Sequence, residues 1–284
     1  MDDFDNGESI REYILDYLKI EKEEEIENIL NYTSSRFNRE KSNFFRLSGG
    51  SLGGKARGLG FAISMINNSN IKDQFKNITI RVPKCAVIGT DEFDRFMKDN
   101  ELWEFALSDI DDILLEKRFL KSRLSIDLIL KLESFIKENK YPIAVRSSSL
   151  LEDSQYQPLA GTYETYMLAN NSRSDKKRLD NLINAIKRVY ASTFKGEART
   201  LLKGTAHRIE EEKMAVVIQE IVGKSYKSKR FYPTFSGVLQ SINYYPISYM
   251  KRNEGVAYLA LGFGKTIADG EKSLRISPKY PKIL

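Results

Sequence analysis

Apolar residues recur at spacings of three and four over residues 9–31 (SIREYILDYLKIEKEEEIENILN), at Ile10, Ile14, Leu15, Leu18, Ile26, Ile29 and Leu30. That period predicts a helical lead-in over residues 1–46, in two segments, with Ser9 and Glu12 at capping-box spacing. The pattern breaks at LSGGSLGG (47–54), where four glycines and two serines predict a loop, and helical spacing resumes through KARGLGFAISMINN. ITIRVPKCAVIG (78–89) reads as a strand interrupted by Pro83, followed by a helix through EFDRFMKDN capped by Thr90 or Asp91. Two or three helices fill 100–139, PIAVRS (142–147) is a short buried strand, and TYETYMLA alternates as a strand should. Residues 175–202 are helical. MAVVIQEIV (214–222), FSGVLQSIN (235–243), GVAYLALGFG (255–264) and SLRISPKY (273–280) are strands. A helical first half followed by a strand-rich second half predicts an α+β fold with a cleft between two lobes, residues 47–205 and 206–284.

Composition narrows the function classes. With 284 residues, 41% hydrophobic, the chain can bury a large core or two lobes. It has no apolar run long enough to span a bilayer, and its acidic N-terminus MDDFDNGESIREY has no signal-peptide core. One cysteine, Cys85, cannot pair internally, which fits a reducing, cytoplasmic setting. The net charge of +6 is spread along the chain rather than gathered in one arm, so nucleic acid is not the expected partner. The single histidine, His207, lies in the polar stretch TAHRIEEEK and reads as exposed and idle.

Four constellations carry candidate chemistry. In SGGSLGGKARGLG (48–60), Gly53 and Gly54 let a backbone approach a ligand, and Lys55 stands where loop meets helix, within reach of an anion. Ala56 after Lys55 rules out a Walker A motif, and a purely structural turn is the competing reading. In AVRSSSLLEDSQYQPLAGTYETY (144–166), Arg146 ends a buried strand and suits bidentate phosphate contact; the three serines and Gly161 add donors. The alternative is an arginine paired with Glu152 or Asp153. The end of MAVVIQEIV, at Glu220, Ile221 and Val222, can read an adenine edge with its backbone, or be an ordinary buried strand with a polar end. In LGFGKTIADGEKS (261–273), Lys265 can face an anion from a flexible loop, or the segment is a plain β-turn connection.

Taken in order, GGKARGLG (53–60), RVPKCAVIGTDEFDRFM (81–97), AVRSSSLLEDSQYQPLAGTYETYM (144–167), MAVVIQEIV (214–222), SGVLQS (236–241) and LGFGKTIADG (261–270) resemble the nucleotide-binding domain of the pyruvate phosphate dikinase and phosphoenolpyruvate synthase family. The resemblance covers roughly residues 48–280 and implies an ATP-grasp-like fold. It implies an enzyme that moves a phosphoryl group from ATP, with Mg²⁺, to a histidine on a separate swivelling domain, and then to pyruvate or another acceptor. Lys55 and Arg146 would contact the ATP phosphates, Gly161 with Thr162 would form the loop over them, and Thr165 would lie close by. Gln219 and the backbone of Glu220 to Val222 would border the adenine. The intact enzyme would be a homodimer.

Two departures bear on this. The family's AGQQET reads AGTYET here, with Thr162 and Tyr163 in place of two amides, and its GLGE acid is lost or shifted at Gly262-Phe263. The family's metal-binding glutamate and glutamine are expected beyond Leu284, so no metal ligand is expected within this chain. The phosphohistidine motif is absent from it, which suggests a piece of a longer polypeptide, inactive by itself. The rival readings are a dikinase with another acceptor, a non-catalytic nucleotide-sensing domain, and a nucleic-acid-binding module.

Overall fold

The computed structural model describes residues 30–31, 43–149, 162–203, 212–227, 230–264, 267 and 273–283. Contacts divide the chain into two compact units, Met1–Ile221 and Val222–Leu284. Among the described residues the first unit holds β1 (Leu30–Asn31), β2 (Phe44–Arg46), α1 (Gly53–Asn68), β3 (Cys85–Ile88), α2 (Thr90–Asp99), α3 (Trp103–Leu107) and α4 (Asp112–Lys121). It continues with α5 (Ile126–Glu138), β4 (Ile143–Ser148), β5 (Thr165–Leu168), α6 (Asp175–Ser192), α7 (Gly196–Lys203) and β6 (Ala215–Glu220). Helices and sheets occur together in the α+β manner expected.

The six strands form one mixed sheet in the order β1-β2-β3-β6-β4-β5. β1, β2 and β3 run parallel, while β6 is antiparallel to both β3 and β4. Because side chains alternate along a strand, each strand feeds two faces. Phe45, Ala86, Ile88, Ile143, Val145, Val216 and Ile218 enter the larger core, with residues of α2 to α7. Four rings, Phe93, Phe96, Tyr190 and Phe194, meet within that core. Phe44, Cys85, Val87 and Val217 point the other way and are covered by Leu52, Ala56 and Ile63 at and along α1. One face therefore carries a layer of helices and the other carries α1.

Three expectations change. Leu30 and Asn31, expected at the end of the lead-in helix, pair as a strand with Phe45 and Arg46, and β2 itself falls within the expected helical segment. The rest of that segment, with the Ser9–Glu12 capping box, lies outside the described residues, as does His207. Gly89 is the N-cap of α2, and Thr90 is its first helical residue. The division between units falls after Ile221 rather than at 205/206, because β6 is bonded between β3 and β4 at the centre of the first unit's sheet.

The second unit contains the hairpin β7 (Lys224–Ser225) and β8 (Phe231–Tyr232), and an antiparallel sheet in the order β11 (Leu274–Ile276), β10 (Val256–Leu261), β9 (Phe235–Gln240). Gly255 enters β10 at φ +72°, where an added Cβ would sit 2.5 Å from the Gln240 carbonyl oxygen. Among the described residues no helix is long and apolar enough to cross a membrane.

Candidate nucleotide site on the open sheet face

Cross-strand register sets Arg46, Val87, Val217, Arg146 and Thr165 in one transverse row of the sheet, on the face that carries α1. The next row holds Phe44, Cys85, Gln219, Ala144 and Met167. α1 packs against β4 and β6 and buries the middle of these rows. Thr165 and Met167 remain exposed, and Arg146 and Gln219 are half-buried. This uncovered part of the sheet is where a ligand can meet Arg146.

Arg146 donates from one terminal nitrogen to Gln219 Oε1 at 3.0 Å. Among the described residues no carboxylate pairs with it; Glu152 and Asp153, its alternative partners, lie outside them, as does Gly161. Lys55, in the first turn of α1, donates from Nζ to Ser147 Oγ at 3.2 Å. Lys55 Nζ is thus held at the residue that follows Arg146 on the same strand, whose side chain alternates to the face opposite that of Arg146.

The glycine loop is fastened to the same strand. Ser148 Oγ donates to the Leu52 carbonyl at 2.8 Å and accepts from the Ala56 N–H at 3.1 Å. Gly54 N–H donates to the Ser149 carbonyl at 3.0 Å, and Gly53 N–H to Ser51 Oγ at 3.4 Å. Gly53 has φ +73°, and a Cβ there would lie 1.8 Å from the Ser148 carbonyl oxygen. From the other side, Arg46 donates to the carbonyls of Ser48 and Gly50 at 2.8 and 2.6 Å, and Thr90 Oγ1 accepts from the Ser51 N–H at 2.9 Å. Three early α1 amides, those of Gly53, Gly54 and Ala56, already serve protein acceptors. The three serines, expected as phosphate donors, are buried. Sequence reasoning missed Arg46 and read Ser148 only as a ligand donor, whereas both shape the loop; nothing in FFRLSGG or VRSSS distinguishes a clamp from a ligand donor.

The remaining expected residues scatter. Glu220 follows Gln219 and so points to the opposite face, where Arg81 grips it bidentately at 2.8 and 3.0 Å and the Lys84 N–H adds a bond at 3.2 Å. The Arg81 hydrogen bonds hold the Glu220 carboxyl below the usual carboxylate range. The N–H groups of Glu220 and Ile221 donate to Lys84 and Pro142 carbonyls. Val222 is exposed at the start of the second unit. Thr162 lines a cavity of about 430 Å³ with Asp112, Glu116, Glu164, Ser192 and Lys195, among α4 and the α6–α7 junction rather than beside Arg146. Tyr163 is buried in the larger core, its hydroxyl donating to Glu212 at 3.0 Å. Cys85, the register partner of Gln219 on β3, is buried, and burial pushes its thiol up to about 12 against the pull of Arg146.

Magnesium calls for oxygen ligands in octahedral array. Among the described residues no group of three histidine, cysteine or carboxylate side chains is placed to hold a metal, and Gln219 Oε1 is taken by Arg146. The described residues of this site do not by themselves supply a metal's ligand set.

Comparison with known proteins places this geometry in context. The family model of the pyruvate phosphate dikinase AMP/ATP-binding domain matches residues 50–282. A relative in Bacillus subtilis (strain 168), described as an uncharacterized phosphotransferase, YvkC, is 28% identical over 192 residues. That alignment takes in 66% of this chain and 20% of the relative, so the chain spans a fifth of the relative's length.

Proposed function

The chain belongs to the pyruvate phosphate dikinase AMP/ATP-binding domain family, and we propose that the open face around Arg146 takes the phosphates of ATP within a phosphotransferase. The observation that carries this reading is Arg146, a guanidinium held by a neutral amide beside an uncovered stretch of sheet, with Lys55 hydrogen-bonded to the next residue of the same strand. Two fixed positive charges suit the spread charge of a polyphosphate, and a planar guanidinium can engage two of its oxygens at once. Their chemical work would be electrostatic: they offset charge on the phosphates as the phosphoryl group leaves, without forming a covalent bond themselves.

In this reading the two units are the lobes of an ATP-grasp-like fold, and the end of β6 borders the adenine. The phosphoryl group passes to a histidine on a domain outside this chain, and from there to pyruvate or another acceptor. Magnesium would accompany ATP. The single buried cysteine supports a cytoplasmic location.

The test is titration of the chain with ATP. Lys55→Met and Arg146→Ala should each weaken binding by roughly 10- to 100-fold, the range expected for losing a charged hydrogen-bonding contact to phosphate. Affinity unchanged by both substitutions would refute the reading.

A further inference from the structure

Gln219 sits where a base-contacting residue is expected, yet its side-chain oxygen is already committed. Gln219 pairs in register with Ala144, and Arg146 with Val217. The two side chains are therefore diagonal neighbours on one face, a separation that only long side chains bridge. They do so at 3.0 Å, with the guanidinium donating and the amide oxygen accepting. That acceptor is neutral, and this has a consequence. A carboxylate in its place would hold the guanidinium equally well but would cancel the charge that a phosphate needs. A neutral oxygen fixes the direction of Arg146 and leaves its charge, and its remaining N–H groups, for an anion.

We propose that Gln219 is a positioning residue that orients Arg146 toward the phosphates of the nucleotide and does not itself read the base. The proposal rests on the assignment of Arg146 as a phosphate ligand. Pre-orienting the arginine lowers the rotamer entropy lost on binding, which is the general route by which such contacts raise affinity. Gln219 is fixed in the ladder between Cys85 on one side and Ala144 on the other, with its amide oxygen on Arg146.

The experiment compares ATP with inorganic tripolyphosphate, which lacks the base, on the full chain and on Gln219→Met, Arg146→Ala and the double variant. Methionine keeps the length and loses the acceptor. Expected is a loss of roughly tenfold for Gln219→Met, the size of one hydrogen bond to a charged group, equal for both ligands. The loss should vanish in the Arg146→Ala background, since there is then nothing to orient. A loss seen with ATP alone would overturn the proposal in favour of base reading. No loss with Gln219→Met, while Arg146→Ala weakens both ligands, would overturn it and leave the phosphate assignment standing. No loss with Arg146→Ala would bring down that assignment and the proposal with it. A ligand-free readout runs alongside: rotation of the Arg146 guanidinium about its Nε–Cζ bond, followed by NMR, should be slow in the parent chain and fast in Gln219→Met. Fast rotation in the parent would overturn the proposal even if the chain bound no ligand.

Discussion

Two glycines five residues apart in α1 should respond to alanine with opposite signs. At Gly53 the backbone sits at φ +73° and an added Cβ would lie 1.8 Å from the Ser148 carbonyl oxygen, 2.4 Å from its carbon and 2.6 Å from its Oγ. A left-handed φ costs an alanine about 1–2 kcal/mol. The clash is with backbone, so it must be relieved by moving the loop or β4, an overpacking cost of about 1–3 kcal/mol. Together these give a destabilisation of roughly 2–5 kcal/mol, or a fall in Tm of roughly 5–15 °C for a unit of this size. At Gly58 the helix is exposed and a Cβ would meet nothing within 4 Å. There alanine should stabilise by about 0.5–1 kcal/mol, the helix-propensity difference. Fluorescence of Trp103, the chain's single tryptophan, reports on the first unit, where its ring packs edge-on against Phe93 and Phe194. Thermal unfolding followed at that ring should show Gly58→Ala above the parent and Gly53→Ala well below it. An unchanged Tm for Gly53→Ala would refute the close docking of the loop on Ser148. A fall for Gly58→Ala would refute the assignment of its open, helical surroundings.

Cys85 is buried with its thiol pushed up to about 12, so a thiol-specific disulfide reagent at pH 8 should label it only on unfolding; rapid labelling of the native chain would contradict its burial beneath α1. Glu220 has its folded pKa depressed by Arg81 from an ordinary value of 4.5. Its contribution to stability is present above that value and is lost as pH falls through the lowered folded pKa. Glu220→Gln should therefore lower Tm at pH 7, with the gap to the parent closing as the medium is taken below about 4.5; a gap that widens in acid would show that the pair is not formed as described.

Much of this arrangement was legible because it is local. The amphipathic spacing of TDEFDRFMKD gives α2 with Phe93, Phe96 and Met97 inward, and AVVIQE gives a buried strand that turns half-exposed at its end. What escaped is non-local. Leu30 belongs to an apolar pattern that reads as helix, and only its pairing with Phe45 makes it a strand; a two-residue strand carries no periodicity of its own. The loop's supports cross 39 residues from Ser51 to Thr90 and 96 from Leu52 to Ser148, so no window of sequence contains both partners. Tyr163 looked like a change in a ligand loop. Its ring is part of the larger core, and that is an ordinary reason for an aromatic residue to stand there.

The face assignments also decide which contiguous runs can act as contiguous sites. Gln219, Glu220 and Ile221 are neighbours in sequence, but strand alternation sends the Gln219 side chain to the open face and that of Glu220 to the face where Arg81 holds it. Likewise Val145 fills the larger core while Arg146 stands on the opposite face. A phosphate site on this sheet must therefore be assembled from alternate residues of several strands, Arg146 and Thr165 in one row with Gln219 in the next. It cannot come from one stretch of chain. Ser148 and Gly53 hold the start of α1, with Lys55 in its first turn, against the end of β4. Ser148 of VRSSS thus serves as the tie between the glycine loop and β4, buried and with its hydroxyl engaged by Leu52 and Ala56.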